Sequence, residues 1–229
     1  MKDYRFLLFD ADNTLLDFFK SEENALALAL SEQGIRVTPA LSKSYSDIND
    51  GLWKDLEKKL ITKERLRVKR FEDFDRKENL HADVAKLSKD YTDFLSTQAI
   101  EADGAFELLS ALCGKYEIYV ITNGIGYVQK GRMAKTRLFP LIKESFISEE
   151  IGFEKPDVRY FDAIAKKIPG FDPEKALVIG DSLTSDVLGG INAGIDTCLL
   201  KTPHTAPHPE IVPTYTIGAL SELLEILKN

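Results

Sequence analysis

Five short stretches of the chain are almost wholly apolar and show no alternation: RFLLF at 5–9, EIYVI at 117–121, ALVIG at 176–180, IDTCLL at 195–200 and, more weakly, 214–217. Strands of this kind suit a parallel sheet covered on both faces. Between most of them, apolar residues recur at helical spacing, near 104–114, 126–138, 157–168, 184–193 and 218–227. Alternating strands and helices predict an α/β fold with a mostly parallel sheet flanked by helices.

Residues 18–98 break that rhythm. They hold no strand pattern and read as four helices: SEENALALALSEQG, ALSKSYSDINDGLWKDLEKKL, TKERLRVKRFEDF and ADVAKLSKDYTDFLSTQ. Gly34 and Pro39 punctuate the first boundary, and Thr62 with Glu64 marks the start of the third helix. The prediction is a core made of 1–17 and 99–229, with a small all-helical domain at 18–98 inserted after the first strand. Trp53, Phe71, Phe74 and Tyr91 are expected in the core of that insert. The charge-rich stretch KKLITKERLRVKRFEDFDRKE mixes both signs and predicts a solvated helix face.

Net charge is −7 and the isoelectric point about 5.2, which argues against a bulk electrostatic grip on nucleic acid. No apolar run approaches the ~20 residues of a membrane helix. The N-terminus enters its first strand with no basic leader, so a cytoplasmic protein is expected. Cys113 and Cys198 are the two cysteines; they allow neither a disulfide framework nor a zinc pattern, and small core residues are expected.

The candidate chemistry lies at strand ends. In FLLFDADNTLLDF, residues 6–18, an apolar run closes on Asp10 and Asp12. Residues two apart on a strand point the same way, so both carboxylates are expected just past the sheet edge, where α/β folds bind ligands. A divalent cation or a retained proton relieves their repulsion. A phosphoryl-transfer site can use both acids, one as nucleophile and one as proton donor. By itself the pair also fits a turn cap with an Asx turn. In ITNG at 121–124, the Thr122 hydroxyl and the N–H groups of Asn123 and Gly124 can bind phosphate oxygens. Lys155 precedes Pro156, which is expected to open the next helix. In VIGDSLTSDVLGG at 178–190, Asp181 ends a strand and Asp186 follows; Ser182 or Thr184 can cap the helix. Such acids suit Mg²⁺, which takes hard oxygen ligands.

These four motifs, in this order, resemble the haloacid dehalogenase superfamily of phosphohydrolases. The resemblance covers the whole chain and implies a Rossmann-like core, with the insert as a helical cap. It implies that Asp10 is the nucleophile that forms an aspartyl-phosphate, and that Asp12 is the general acid/base with its backbone carbonyl on Mg²⁺. Thr122 matches the phosphate-binding hydroxyl, with Asn123 and Gly124 beside it, and Lys155 the residue that neutralises charge. Asp181 matches an acidic Mg²⁺ ligand, and Asp186 a second acid that binds through water or supports Lys155. Asn13 departs from the usual glycine. The form DADNTLLDF is similar to the pyrimidine 5′-nucleotidase branch, which implies a small-molecule phosphate ester, a nucleoside monophosphate, as substrate. The superfamily's dehalogenases lack the second acid of the first motif, whereas Asp12 is present here. The motifs alone leave open a sugar-phosphate phosphatase, a phosphomutase, or a non-catalytic phosphate-binding module. The oligomeric state is not legible in them.

Overall fold

The computed structural model describes residues 2–228. Six strands form one sheet: β1 (Phe6–Asp10), β2 (Glu117–Thr122), β3 (Glu144–Ile147), β4 (Ala176–Gly180), β5 (Asp196–Leu200) and β6 (Tyr215–Ile217). Their order is β3-β2-β1-β4-β5-β6, and every pairing is parallel. All five residues of β1 are buried, as a central strand covered on both faces requires. Its side chains alternate: Leu7 and Phe9 enter one apolar cluster, Phe6 and Leu8 the other. The strand β3 carries no signal in the sequence. It is an edge strand of four residues with only Phe146 and Ile147 buried, too short and too polar to register as an apolar run.

Strand register sets the position of the functional residues. Asp10 pairs with Ile121 of β2, and Phe9 with Ile179 of β4. The ends of three strands therefore lie level, and the residues just after them converge on one edge of the sheet.

Close packing separates the chain into two units, 1–17 with 100–229, and 18–99. The second unit is helical: α1 (Phe18–Ser31), α2 (Pro39–Glu57), α3 (Lys63–Glu78) and α4 (Val84–Leu95). The hydroxyls of Thr38 and Thr62 cap α2 and α3, accepting from the amides of Leu41 and Arg65; each satisfies a first-turn N–H with no partner inside its helix. Helix α1 packs on α4, and α2 on α3. Phe71, Phe74 and Tyr91 are fully buried, with Tyr45 stacked on Phe71 at 5.2 Å between ring centroids. The charged stretch is only in part a solvated face. Arg65 pairs with Glu72 and Lys69 with Asp73 at the surface, but Lys63 and Arg70 are buried. The Arg70 guanidinium lies over the Tyr91 ring, 4.6 Å from its centroid, a cation–π contact that substitutes in part for lost hydration.

In the first unit, α5 (Ala105–Leu112), α6 (Gly126–Met133), α7 (Ser148–Ile151), α8 (Val158–Lys167), α9 (Leu188–Asn192) and α10 (Leu223–Ile226) complete the fold. Helix α5 covers the Leu7–Phe9 face and α8 the Phe6–Leu8 face. Cys198 is buried in β5, but Cys113 is exposed, contrary to expectation. Among the described residues, no helix is long and apolar enough to cross a membrane.

Glu22 of α1 is buried and accepts a hydrogen bond from Asn49 Nδ2 at 2.7 Å. Burial pushes its carboxyl from the ordinary 4.5 to about 7. A folded-state value above the unfolded one means that stability is fully present below pH 4.5 and declines as pH rises through about 7. The gap corresponds to roughly 3 kcal/mol. Urea unfolding between pH 5 and pH 8 is expected to show this decline, and Glu22→Gln to flatten it; an unchanged profile in the variant would assign the decline to other groups.

Candidate active site

The site is built around Lys155. It lies in the loop between α7 and α8, and its side chain is 2 % exposed. Nζ donates to Asp10 Oδ1 at 2.6 Å, to Asp186 Oδ1 at 2.6 Å and to the Ile121 carbonyl at 3.1 Å. The three ammonium protons thus meet the end of β1, the end of β2 and the segment after β4. Asn123 fixes the backbone of Lys155 from both sides: its Nδ2 donates to the Lys155 carbonyl at 2.8 Å, and its Oδ1 accepts from the Lys155 amide at 2.9 Å. Helix α8 begins at Val158 with Asp157 as its N-cap. Pro156 therefore precedes the helix rather than opening it.

Asp186 reaches Lys155 because Gly180 has no side chain. A Cβ there would stand 2.2 Å from Asp186 Oδ2 and 2.7 Å from its Cβ. The same Oδ2 accepts from the Ser182 amide at 3.1 Å. Ser182, not Thr184, caps the following turn, accepting from the Ser185 amide at 3.2 Å.

Carboxylate oxygens of Asp10, Asp181 and Asp186 lie within 4.8 Å of one another. Three acids face one ammonium here, and Asp10 and Asp186 share it. The titration behaviour reflects burial first and the crowding of acids after it. Burial pushes the Asp10 carboxyl well above the usual range; Lys155 opposes the rise, and Asp186, Asp181 and Asp12 add to it. Burial, with Asp186 next, pushes Asp181 up to about 7. Burial opposes the charge on Lys155, but Asp10 and Asp186 outweigh it and hold the ammonium form well above its usual range. A compact set of three hard oxygen donors facing a single ammonium fits a divalent cation such as Mg²⁺.

The carboxylate of Asp12 stands apart from that cluster. β1 ends at Asp10, so the two-residue strand period stops before Asp12 and does not by itself fix where its side chain points. The chain turns instead: Asn13 adopts φ 58°, and its amide donates to the Leu16 carbonyl at 2.7 Å. Asn tolerates this left-handed conformation better than other residues with a side chain, which explains how it stands where glycine is usual. Asp12 Oδ2 accepts from Gln129 Nε2 at 2.5 Å, and Oδ1 accepts from Arg132 Nη1.

Thr122 Oγ1 accepts from the Gly124 amide at 3.0 Å and from Gln129 Nε2 at 2.9 Å. With its two lone pairs engaged, the hydroxyl proton is left to donate. Of the two N–H groups expected to face phosphate, that of Gly124 is directed at Thr122; the Asn123 side chain, separately, holds Lys155. Gln129 and Arg132 are site residues that the motifs do not reveal. Their signal is two long polar residues spaced three apart on the inward side of a short helix, where Val128 and Met133 are also buried.

A family model described as haloacid dehalogenase-like hydrolase matches residues 4–194. The HAD-hydrolase YfnB of Bacillus subtilis is 41% identical over 227 residues, covering 99% of this chain and 97% of that protein. The pyrimidine 5′-nucleotidase PynA of Streptococcus pneumoniae is 41% identical over 225 residues, 98% of this chain and 95% of that one. The pyrimidine 5′-nucleotidase YjjG of Escherichia coli is 33% identical over 221 residues, 96% of each. The crystal structure of YfnB bound to magnesium, which reveals interdomain movement in that protein, superposes with a TM-score of 0.94 over all of both chains at 41% identity. A dehalogenase structure with a TM-score of 0.77 and 18% identity shares the fold.

Replacing Lys155 with Met would leave the carboxylates of Asp10 and Asp186 buried without their cation. A loss of about 3–5 kcal/mol is expected in urea unfolding with EDTA present. Adding Asp186→Asn should recover about 1 kcal/mol or more, because one stranded charge is removed. A single variant within about 1 kcal/mol of wild type, or strict additivity in the double variant, would refute the network.

Proposed function

The chain belongs to the haloacid dehalogenase-like hydrolase family, and on that premise we propose that it is a Mg²⁺-dependent phosphomonoesterase acting on pyrimidine nucleoside 5′-monophosphates. The observation that carries the reaction class is the buried Lys155 bound to Asp10 at the end of the central strand. It pairs a nucleophile of the right kind with a fixed positive charge. The substrate class draws on the two pyrimidine 5′-nucleotidases that align with nearly the whole chain.

In the proposed reaction a carboxylate oxygen of Asp10 attacks phosphorus, and the bond from phosphorus to the ester oxygen breaks. Asp12 gives its proton to the departing alkoxide, which leaves as the nucleoside. Asp12, now a carboxylate, takes a proton from water as that water attacks the aspartyl-phosphate. The acyl-phosphate bond breaks, inorganic phosphate departs and Asp10 is restored. The Thr122 hydroxyl, with both lone pairs engaged, donates to a phosphoryl oxygen. Lys155 offsets the charge that builds on the transferring group, an electrostatic contribution already organised before substrate arrives. Asp10, Asp181 and the Asp12 carbonyl would hold Mg²⁺, and Asp186 would bind it through water or support Lys155, to which it is paired. When bound, the ion neutralises phosphate charge and orients the phosphoryl group.

Asp10→Asn is expected to lower turnover by about 10⁴-fold or more while leaving the circular dichroism spectrum unchanged; a near-native rate would remove the nucleophile assignment. EDTA should abolish phosphate release and Mg²⁺ should restore it. A substrate panel of UMP, dUMP, dTMP, purine monophosphates and sugar phosphates tests specificity. Highest kcat/KM on pyrimidine monophosphates supports the nucleotidase assignment. Preference for sugar phosphates, or a requirement for a bisphosphate, overturns it and leaves the aspartyl-phosphate chemistry standing.

A further inference from the structure

Helix α6 carries two long polar side chains into the interior of the first unit: Gln129 is 4% exposed and Arg132 0%. Burying such groups is costly unless each finds partners. Both find Asp12. Gln129 Nε2 donates to Asp12 Oδ2 at 2.5 Å and to Thr122 Oγ1 at 2.9 Å. Arg132 Nη1 donates to Asp12 Oδ1 and, at 3.3 Å, to Gln129 Oε1. A guanidinium only donates, so the amide oxygen of Gln129 must face Arg132. Its NH₂ is thereby forced toward Asp12 and Thr122.

We propose that Gln129 and Arg132 are positioning residues, a fork that aims Asp12 for proton transfer to the leaving group and sets the direction in which Thr122 donates. Asp12 needs such a device. It lies past the end of β1 and its side chain is 27% exposed, so neither the strand nor close packing fixes its rotamer. Proton transfer depends steeply on where the carboxyl oxygen sits. The sequence makes room for the fork. A Cβ at Gly124 would stand 2.3 Å from Gln129 Nε2 and 2.7 Å from its Cγ. The glycine of ITNG therefore clears the path by which Gln129 crosses from α6 to Asp12. This inference rests on the assignment of Asp12 as general acid.

The test compares two leaving groups. A nucleoside 5′-monophosphate must expel a basic alkoxide and needs the proton; p-nitrophenyl phosphate expels a stable phenolate and does not. Release of the leaving group is followed in single turnover, so that hydrolysis of the phosphoenzyme does not enter. Gln129→Met keeps length and removes the hydrogen bonds. Arg132→Met removes the charge and the donors, whereas Arg132→Lys keeps the charge and one donor. Gln129→Met and Arg132→Met are expected to slow the nucleotide by about 10²-fold and p-nitrophenyl phosphate by less than about threefold, with Arg132→Lys recovering part of the nucleotide rate. Asp12→Asn is run beside them. If Asp12→Asn slows both substrates equally, the general-acid assignment fails, and the fork with it. If Asp12→Asn is selective but the fork variants slow both substrates equally, or neither, the fork is a structural ion pair and the inference is overturned. Should either Met variant fail to fold, Arg132→Lys decides: a selective loss supports the fork, and a wild-type ratio between the two substrates refutes it.

Discussion

The ammonium of Lys155 holds this molecule's chemistry in place. It is almost fully buried and spends its three protons on Asp10, Asp186 and the Ile121 carbonyl. An ammonium taken out of water is unfavourable by several kcal/mol unless partners replace its hydration. Here the partners come from the ends of two strands and from the segment after a third, so the requirement ties those ends together. Conversely, Asp10 and Asp186 could not stay buried as carboxylates without that cation. The level register of β1, β2 and β4 makes the geometry possible, and the ion network makes it obligatory. Three acids still face that one ammonium; burial first, and the neighbouring acids after it, push Asp10 and Asp181 upward, and such a site suits a divalent cation.

Two glycines show how the backbone yields space to functional side chains. Gly180 stands where Asp186 passes, and Gly124 where Gln129 passes. Neither has a positive φ, so conformational freedom is not the reason for glycine at either place. The reason is volume. Each lies at or just after a strand end, and each lets a polar side chain from the following helical segment fold back over the strand. In this way Asp186 is brought to Lys155, and Gln129 to Asp12 and Thr122.

The helical unit solves a different problem. Its interior holds a polar chain, Glu22 to Asn49 to Arg70, among the aromatic rings of Tyr45, Phe71 and Tyr91. Such an arrangement favours one way of packing four helices over others, because any slip would leave a buried charge without its partner. The raised carboxyl of Glu22 is the cost of that specificity.

The chain's own residues determined much of this. Unbroken apolar runs located five of the six strands, since a strand covered on both faces has no polar side to show. The acids, ITNG and Lys155 stood out only together, through the resemblance of four ordered motifs to a known family, since ITNG or a lone lysine carries little signal alone. The four helices of 18–99 were legible from helical periodicity, with Thr62 as a cap. Tertiary structure decided the rest. β3 is an edge strand with two buried residues, and pairing with β2, not composition, makes it a strand. The Asn123 side chain clamps Lys155, a role the ITNG turn does not announce, because the two residues, 32 apart in the chain, meet only after folding. Asp12 lies two residues past the end of β1 and is held from helix α6 rather than by the strand. Its partners Gln129 and Arg132 lie 117 and 120 residues away. Local sequence sets periodicity, caps and the chemical identity of side chains; which of those side chains face one another is set by sheet register and by the need of each buried polar group for a partner.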